Sequence, residues 1–409
     1  MNIQNYNQQS CAKLSNTILP ASYKVKKLFF TVLYSLCIAL ALISFIWNID
    51  VLIKVNVLLG MFAIILLSIR IRREYVPIYI FVGFLAISFL VSSLFVGRTG
   101  WRSFQPYVFI VPSFGAALIL VRKYVYSWGG YIVFYSLACY FLMLMFIGVP
   151  GYAALKYCSR NGISMVMLVA CISLYIILSM EKKKIDLKPA FLTLVISIWG
   201  IGRSGIVSSL VLFLGLLFVS LRVKRKFVYY VIICLFIAYF AWSKFAMDYS
   251  FFRNARDSFI VRGEVKKDAV RLNMWTNYFN NLDISRVIFG VNVVEDPWPE
   301  GEIMAYNYHN SFINLHLQTG FMGLMTLVLI IFALFKFYRI RKVFFFLLLA
   351  LILRSSTDVF IFFGRFDFIP FFFIFYYLKG LHFRVPHINR HLQWTGKTGP
   401  VESRWRKEL

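Results

Sequence analysis

Acidic residues are scarce in this chain. Only 17 Asp and Glu stand against 44 Lys and Arg in 409 residues, and charged residues of both signs make up 15%. Soluble domains carry roughly a quarter charged residues, so an ordinary soluble class is excluded at the outset. Six cysteines are scattered as Cys11, Cys37, Cys139, Cys158, Cys171 and Cys234, with no CxxC pair. That removes zinc-finger and dithiol redox classes. A P-loop, a GxSxG elbow and an HExxH helix are also missing, and with them the chemistries those motifs serve. There is no internal repeat and no low-complexity tract.

What the chain has in quantity is apolar length. Hydrophobic residues make up 60%, and mean hydropathy is +0.73. Apolar runs of about 20 residues, each able to cross the hydrocarbon core, recur along most of the sequence. Candidate spans fall at 28–47, 51–69, 76–96, 104–121, 129–149, 162–180, 189–202, 205–221, 227–246, 319–337, 343–357 and 366–379. The seventh, eleventh and twelfth are short or interrupted, so about 10 to 12 spans are expected. The expected class is all-α, a polytopic helical membrane protein. The first run, Leu28 to Trp47, is too long for a signal-peptide core and lacks a small-residue cleavage site, so it reads as a retained anchor.

A net charge of +27 would point to nucleic acid in a soluble protein. No arginine-rich recognition helix or Cys/His finger supports that here, and no nucleic-acid partner is expected. The positive-inside rule accounts for the excess. Lys24, Lys26 and Lys27 place the N-terminus on the cytoplasmic side. Alternate loops then fall inside, and they are the basic ones: RIRRE at 70–74, RK at 122–123, EKKKIDLK at 181–188, RVKRK at 222–226 and KFYRIRK at 336–342. The chain divides into a cytoplasmic N-terminus (1–27), nine spans (28–246), one large outer loop (247–318), three spans (319–379) and a basic cytoplasmic tail (380–409).

Long loops are uncommon unless functional or disordered, and the aromatics of 247–318 argue against disorder. Val270, Met274, Trp275 and Phe279 stand at helical spacing. Asn281 to Val294 reads as turn and short strand, and DPWPEGE as a rigid turn. The loop ends in YNYHNSFINLHLQTGFMG, Tyr306 to Gly323. His309 and His316 are seven apart and would share one face of a helix, with Asn310 or Ser311 as its cap. No carboxylate or Cys stands at ligand spacing from them, so no metal site is expected. The remaining histidines, His382, His387 and His391, read as solvated in the tail.

The outer side also holds Arg98, Arg102, Arg160, Arg203, Arg253, Arg256, Arg262, Arg271, Arg286, Arg354 and Arg365, with fewer lysines. The positive-inside rule should deplete them there. Arginine presents a planar fork that fits phosphate, so an arginine-rich outer face asks for a local anion. Arg203 sits in SIWGIGRSGIVSSLV, a glycine-rich hinge between two apolar runs, where Gly200, Gly202 and Gly205 permit close approach. A helix starting near Ser204 would turn its positive end to the same point. A snorkelling Arg203 that meets headgroups is the plainer alternative. Arg354 and Asp358, in LRSSTDVF, mark a comparable interruption, or simply satisfy one another as an ion pair. His309 suits general-base duty toward a sugar hydroxyl, whereas His316 fits a structural hydrogen bond.

Two stretches carry a resemblance: GIGRSG around Arg203, and HNSFINLHLQTGFMG from His309 to Gly323. With many spans and one large late loop, the chain resembles the bacterial O-antigen polymerase and O-antigen ligase superfamily. The resemblance implies a helical membrane glycosyltransferase of the GT-C type that needs no metal or other cofactor. Its substrates would be undecaprenyl-diphosphate-linked oligosaccharides on the periplasmic face of the inner membrane, as in O-antigen, lipopolysaccharide or capsule biosynthesis. It implies that Arg203 meets the donor diphosphate and that His309 acts on the acceptor hydroxyl or orients the substrate. Arg98, Arg102, Arg354, Asp358, Tyr308, Asn310 and His316 are the further candidates for binding diphosphate or glycan. The hinge reads GIGRSG rather than the small-residue–Ser–Arg pattern commoner in the family. Transfer would be a single inverting displacement, with arginines and a helix N-terminus taking up charge on the leaving diphosphate. Expected partners are the lipid bilayer, the lipid-linked glycans and a chain-length regulator in the membrane.

A repeat-unit polymerase is the favoured reading, and a ligase that uses a lipid A–core acceptor is the near alternative. A flippase or transporter would show repeat symmetry and midplane charges, whereas the charges here gather at the outer edge. A membrane anchor without chemistry is the remaining alternative.

Overall fold

The structure is a computed structural model that describes residues 21–69, 71–98, 105–157, 161–221, 264–292 and 308–382. Among these residues every regular element is helical. The helices are α1 (Ala21–Trp47), α2 (Asp50–Ser68), α3 (Val76–Phe95), α4 (Gln105–Val121), α5 (Ser127–Phe146), α6 (Asn161–Met180), α7 (Lys188–Trp199) and α8 (Arg203–Ser220). After an interval come α9 (Glu264–Asn280) and α10 (Ile284–Phe289), then α11 (Ser311–Thr319), α12 (Phe321–Ile340), α13 (Lys342–Ser355) and α14 (Phe368–His382). Short 3-10 turns lie at Arg73–Tyr75 and Gly151–Ala153.

Among the described residues seven segments are long and apolar enough to cross a membrane: α1, α2, Arg73–Phe95, α5, α6, α8 and α12. Four of the expected spans are shorter, at 17 residues for α4, 12 for α7, 14 for α13 and 15 for α14. At about 1.5 Å per residue, α7 reaches only about 18 Å, well short of the ~30 Å core. Arg102 and the expected span at 227–246 lie outside the described residues.

The buried face of each helix explains its place. In α6 the apolar residues run all round, and 94% of its central window is buried, so it forms the middle of the bundle. The outer helices instead present apolar side chains outward, such as Leu94 and Phe146, as lipid-facing surfaces do. Small residues set the closest helix contacts. Gly60 of α2 meets Pro112 of α4, and Gly205 of α8 lies against Ser164 of α6, with no room in either place for a Cβ.

The two ends of the bundle differ. At one end Glu181, after α6, takes Lys27 of α1 at 2.7 Å and Lys183 at 3.0 Å, and accepts from the Ser127 N–H at 3.1 Å. Lys379 of α14 reaches Glu74 and Tyr75 at the same end. At the opposite end Arg98, His309 and Arg365 sit in the turns between helices, and Arg354 in the last turn of α13.

The segment around 281–292 departs from the sequence expectation of a short strand. Asp283 caps a helical turn by accepting from the Arg286 N–H at 2.7 Å, and Gly290 ends it at φ +84°. The Asp cap and the left-handed glycine together favour a short helix.

Candidate active site

The HNSF stretch is a clamp on the loop after α13. Asn310 caps α11, its Oδ1 accepting from the Phe312 and Ile313 N–H groups at 2.9 and 3.2 Å. Its Nδ2 donates to the Ser356 carbonyl at 3.1 Å. Ser311 Oγ donates to the Asp358 carbonyl at 2.8 Å and accepts from the Phe360 N–H at 3.2 Å. One turn on, the Asn314 amide donates to the Phe362 carbonyl. The cap and two polar side chains of α11 thus satisfy the backbone of a partly buried loop that has no helix to do so.

The clamp brings Asp358 under His309. His309 Nδ1 lies 3.9 Å from Asp358 Oδ1, and Arg354 Nη2 donates to Asp358 Oδ2 at 3.2 Å. Arg354 is fully buried, lies over the Phe360 ring, and also donates to the Asn161 carbonyl at 3.4 Å. Burial alone would raise the Asp358 carboxyl, but His309 and Arg354 beside it outweigh that and hold it down at about 2. The carboxylate is therefore ionised at neutral pH. His309 itself has a left-handed backbone, φ +48°, and its side chain is 35% exposed.

Asn161 connects this cluster to the glycine hinge. A Cβ on Gly202 would stand 2.8 Å from Asn161 Oδ1. Arg203 follows directly and opens α8, so the amides of that helix start at the same end as Arg354 and His309. Gly202 and Gly205 serve the packing of α8 on α6, a use that the sequence reading of ligand approach did not separate from binding.

Several predicted site residues have structural roles here. Arg98 turns into the protein, where Nη1 donates to the Gln318 carbonyl at 3.1 Å and Nη2 to the carbonyls of Val291, at 3.0 Å, and Leu317. It closes the C-terminal end of α11. Tyr308 is 1% exposed and packs in a separate core with Met274, Tyr278, Val291, Ile313 and Leu317, and its carbonyl accepts from Trp275 Nε1 at 2.7 Å. His316 does not share a face with His309, because α11 begins only at Ser311. Its Nε2 lies 3.1 Å from the Val287 carbonyl and its Nδ1 meets the Tyr278 hydroxyl. A carbonyl can only accept, so the proton is on Nε2 and the tyrosine donates to Nδ1. Burial lowers the His316 pKa, consistent with a neutral ring in a structural role. Asn310 is a cap and strut, and Arg354 a holder of Asp358, in this conformation.

Asn161 and the second half of the clamp were missed from sequence. The available signal was the spacing of Asn310, Ser311 and Asn314 on one side of a helix, facing polar Ser355-Ser356-Thr357. Among the described residues no three His, Cys, Asp or Glu side chains converge to hold a metal. Neither a protein-family model, nor a curated protein, nor a solved structure matches this chain.

Proposed function

We propose that this chain is a membrane glycosyltransferase that joins oligosaccharide repeat units carried on a lipid diphosphate, a polysaccharide polymerase acting at the periplasmic face of the inner membrane. The observation that carries the reading is the partly exposed His309 backed by the ionised Asp358, itself held by buried Arg354, beside the hinge where Arg203 opens α8. A histidine steadied by a carboxylate is suited to take a proton from a hydroxyl. A helix N-terminus with an arginine is suited to charge growing on a departing diphosphate.

In this reading the acceptor hydroxyl oxygen bonds to the anomeric carbon of the donor. The bond from that carbon to the diphosphate oxygen breaks, with inversion, and the lipid diphosphate leaves. The hydroxyl proton passes to His309, and Asp358 stabilises the imidazolium that forms. Apolar spans would keep both lipid-linked substrates in one plane, which lowers the entropic cost of bringing them together.

The test is a null strain complemented with the wild type, His309→Ala or Arg203→Lys, scored for surface glycan and for the lipid-linked pool. Loss of a polymerase leaves single repeat units on the acceptor. A bare core with long chains still on the lipid assigns a ligase instead. Unchanged glycans in both pools overturn the glycosyltransferase reading, and full polymerisation by both variants at normal expression overturns the site.

A further inference from the structure

The lysine-rich end of the bundle holds a cavity of about 350 Å³, lined by Tyr23, Arg72, Glu74, Tyr75, Arg122, Lys123, Tyr124 and Lys379. Four segments converge there: the start of α1, the turn before α3, the turn after α4 and the end of α14. Four cations line it against one carboxylate. That carboxylate is already engaged, since Lys379 Nζ lies 3.5 Å from Glu74 and donates to the Tyr75 hydroxyl at 3.0 Å. Arg122 is stacked on the Tyr75 ring at 4.5 Å, and its Nε and Nη2 are buried with no hydrogen-bond acceptor. Buried guanidinium donors are normally satisfied, and a planar fork fixed on an aromatic face is suited to an oxyanion.

Among the described residues the surroundings add more cations than counter-charge. Arg341 and Lys182 act on Lys123 as further cations. Glu181, which acts on Tyr23 at the rim, is held by Lys27 and Lys183. The loop basicity that the positive-inside rule explains needs no cavity, and it does not call for an arginine with buried, idle donors. Tyr23 and Tyr124 on the rim have the amphipathic character of residues at a headgroup boundary.

We propose that this cavity binds a phosphoryl group, with Arg122 as its bidentate donor and Lys123 and Arg72 as flanking charges. The group is either the phosphomonoester headgroup of an anionic lipid or free phosphate. It lies at the opposite end from His309 and does not rest on the proposed function. Binding would join the start of α1 and the ends of α4 and α14 through one anion.

The test uses the purified full-length protein and reads its apparent unfolding temperature. Phosphatidate in mixed micelles should raise it saturably over a phosphatidylcholine control, and Arg122→Gln should weaken that response on the order of tenfold, as loss of a charge-assisted pair does. Arg122→Lys should recover only part, since it keeps charge without the fork. A rise with phosphatidate and none with inorganic phosphate up to high millimolar assigns a lipid site. An equal Arg122-dependent rise with inorganic phosphate alone assigns a free-anion site. If Arg122→Gln does not fold, Lys123→Gln is read the same way, with Lys156→Gln as a control outside the cavity. A rise that does not saturate, or that these cavity substitutions leave unchanged, overturns the proposal.

Discussion

Replacing Asp358 with Asn keeps the shape of the side chain and removes the charge between His309 and Arg354. The pull on this carboxyl, from its ordinary 3.8 down to about 2, is nearly two units. At 1.36 kcal/mol per unit that amounts to about 2 kcal/mol in favour of the folded state at neutral pH. Arg354 would also be left fully buried without its carboxylate, and breaking one side of such a pair typically costs about 3–5 kcal/mol. The expected loss for Asp358→Asn is therefore about 2–5 kcal/mol. Because the folded pKa is depressed, the carboxylate contribution is complete above the unfolded value near 4 and is lost as pH falls toward 2. Linkage leaves roughly half of it at pH 3. The assay is the apparent unfolding temperature of wild type and variant in detergent from pH 7 to pH 3, alongside glycan polymerisation in complemented cells. The gap should be widest at pH 7 and narrow through pH 4. A gap that is absent, or flat with pH, refutes the coupling of Asp358 to Arg354 and His309. Normal polymerisation by a folded Asp358→Asn protein refutes its support of His309.

Other consequences follow from single contacts. His316→Leu removes the bonds to the Tyr278 hydroxyl and the Val287 carbonyl and should cost about 1–3 kcal/mol, read by thermal unfolding. Since burial lowers the His316 pKa below 6.5, the unfolded chain binds the extra proton first, and His316 stabilisation should fall as pH drops below about 6.5. Arg98→Ala should speed amide exchange at Val291 and at Gly320, whose N–H bonds to His316, while Arg98→Lys, with its charge but no fork, recovers only part. Gly205→Ala forces a Cβ against Ser164 and should destabilise by about 1–3 kcal/mol, with Ser164→Gly in the same chain restoring stability.

The helices were legible because apolar length is a local property. Ten of the expected spans coincide with described helices to within a few residues, and the first ends with α1 at Trp47 but starts seven residues after its Ala21. The lengths were less legible. LILRSSTDVF reads as apolar with an interruption, but α13 stops at Ser355 because Arg354 and Asp358 turn inward to one another and to Asn161. The strand expected after Asn281 failed for a local reason, since an Asp cap and a terminal glycine outweighed β-branched Val287 and Ile288. At the site, sequence selected His309, Arg203, Arg354 and Asp358 as unusual in an apolar chain. It could not divide arginines that serve packing, as Arg98 does for α11, from those left near a pocket.

By itself the sequence determined an all-helical, lipid-facing chain with basic turns segregated from a histidine- and arginine-bearing end. Hydrophobic periodicity and the cost of charge in hydrocarbon act on each segment alone, so they can be read one segment at a time. Only the tertiary structure decided that α11 clamps the loop 356–362, that Asp358 lies beneath His309, and that Arg122 keeps idle donors in a cationic cavity. Those arrangements join residues tens to hundreds of positions apart. What selects the first two is the need to satisfy backbone and charge in a largely buried turn, which no single stretch of sequence records.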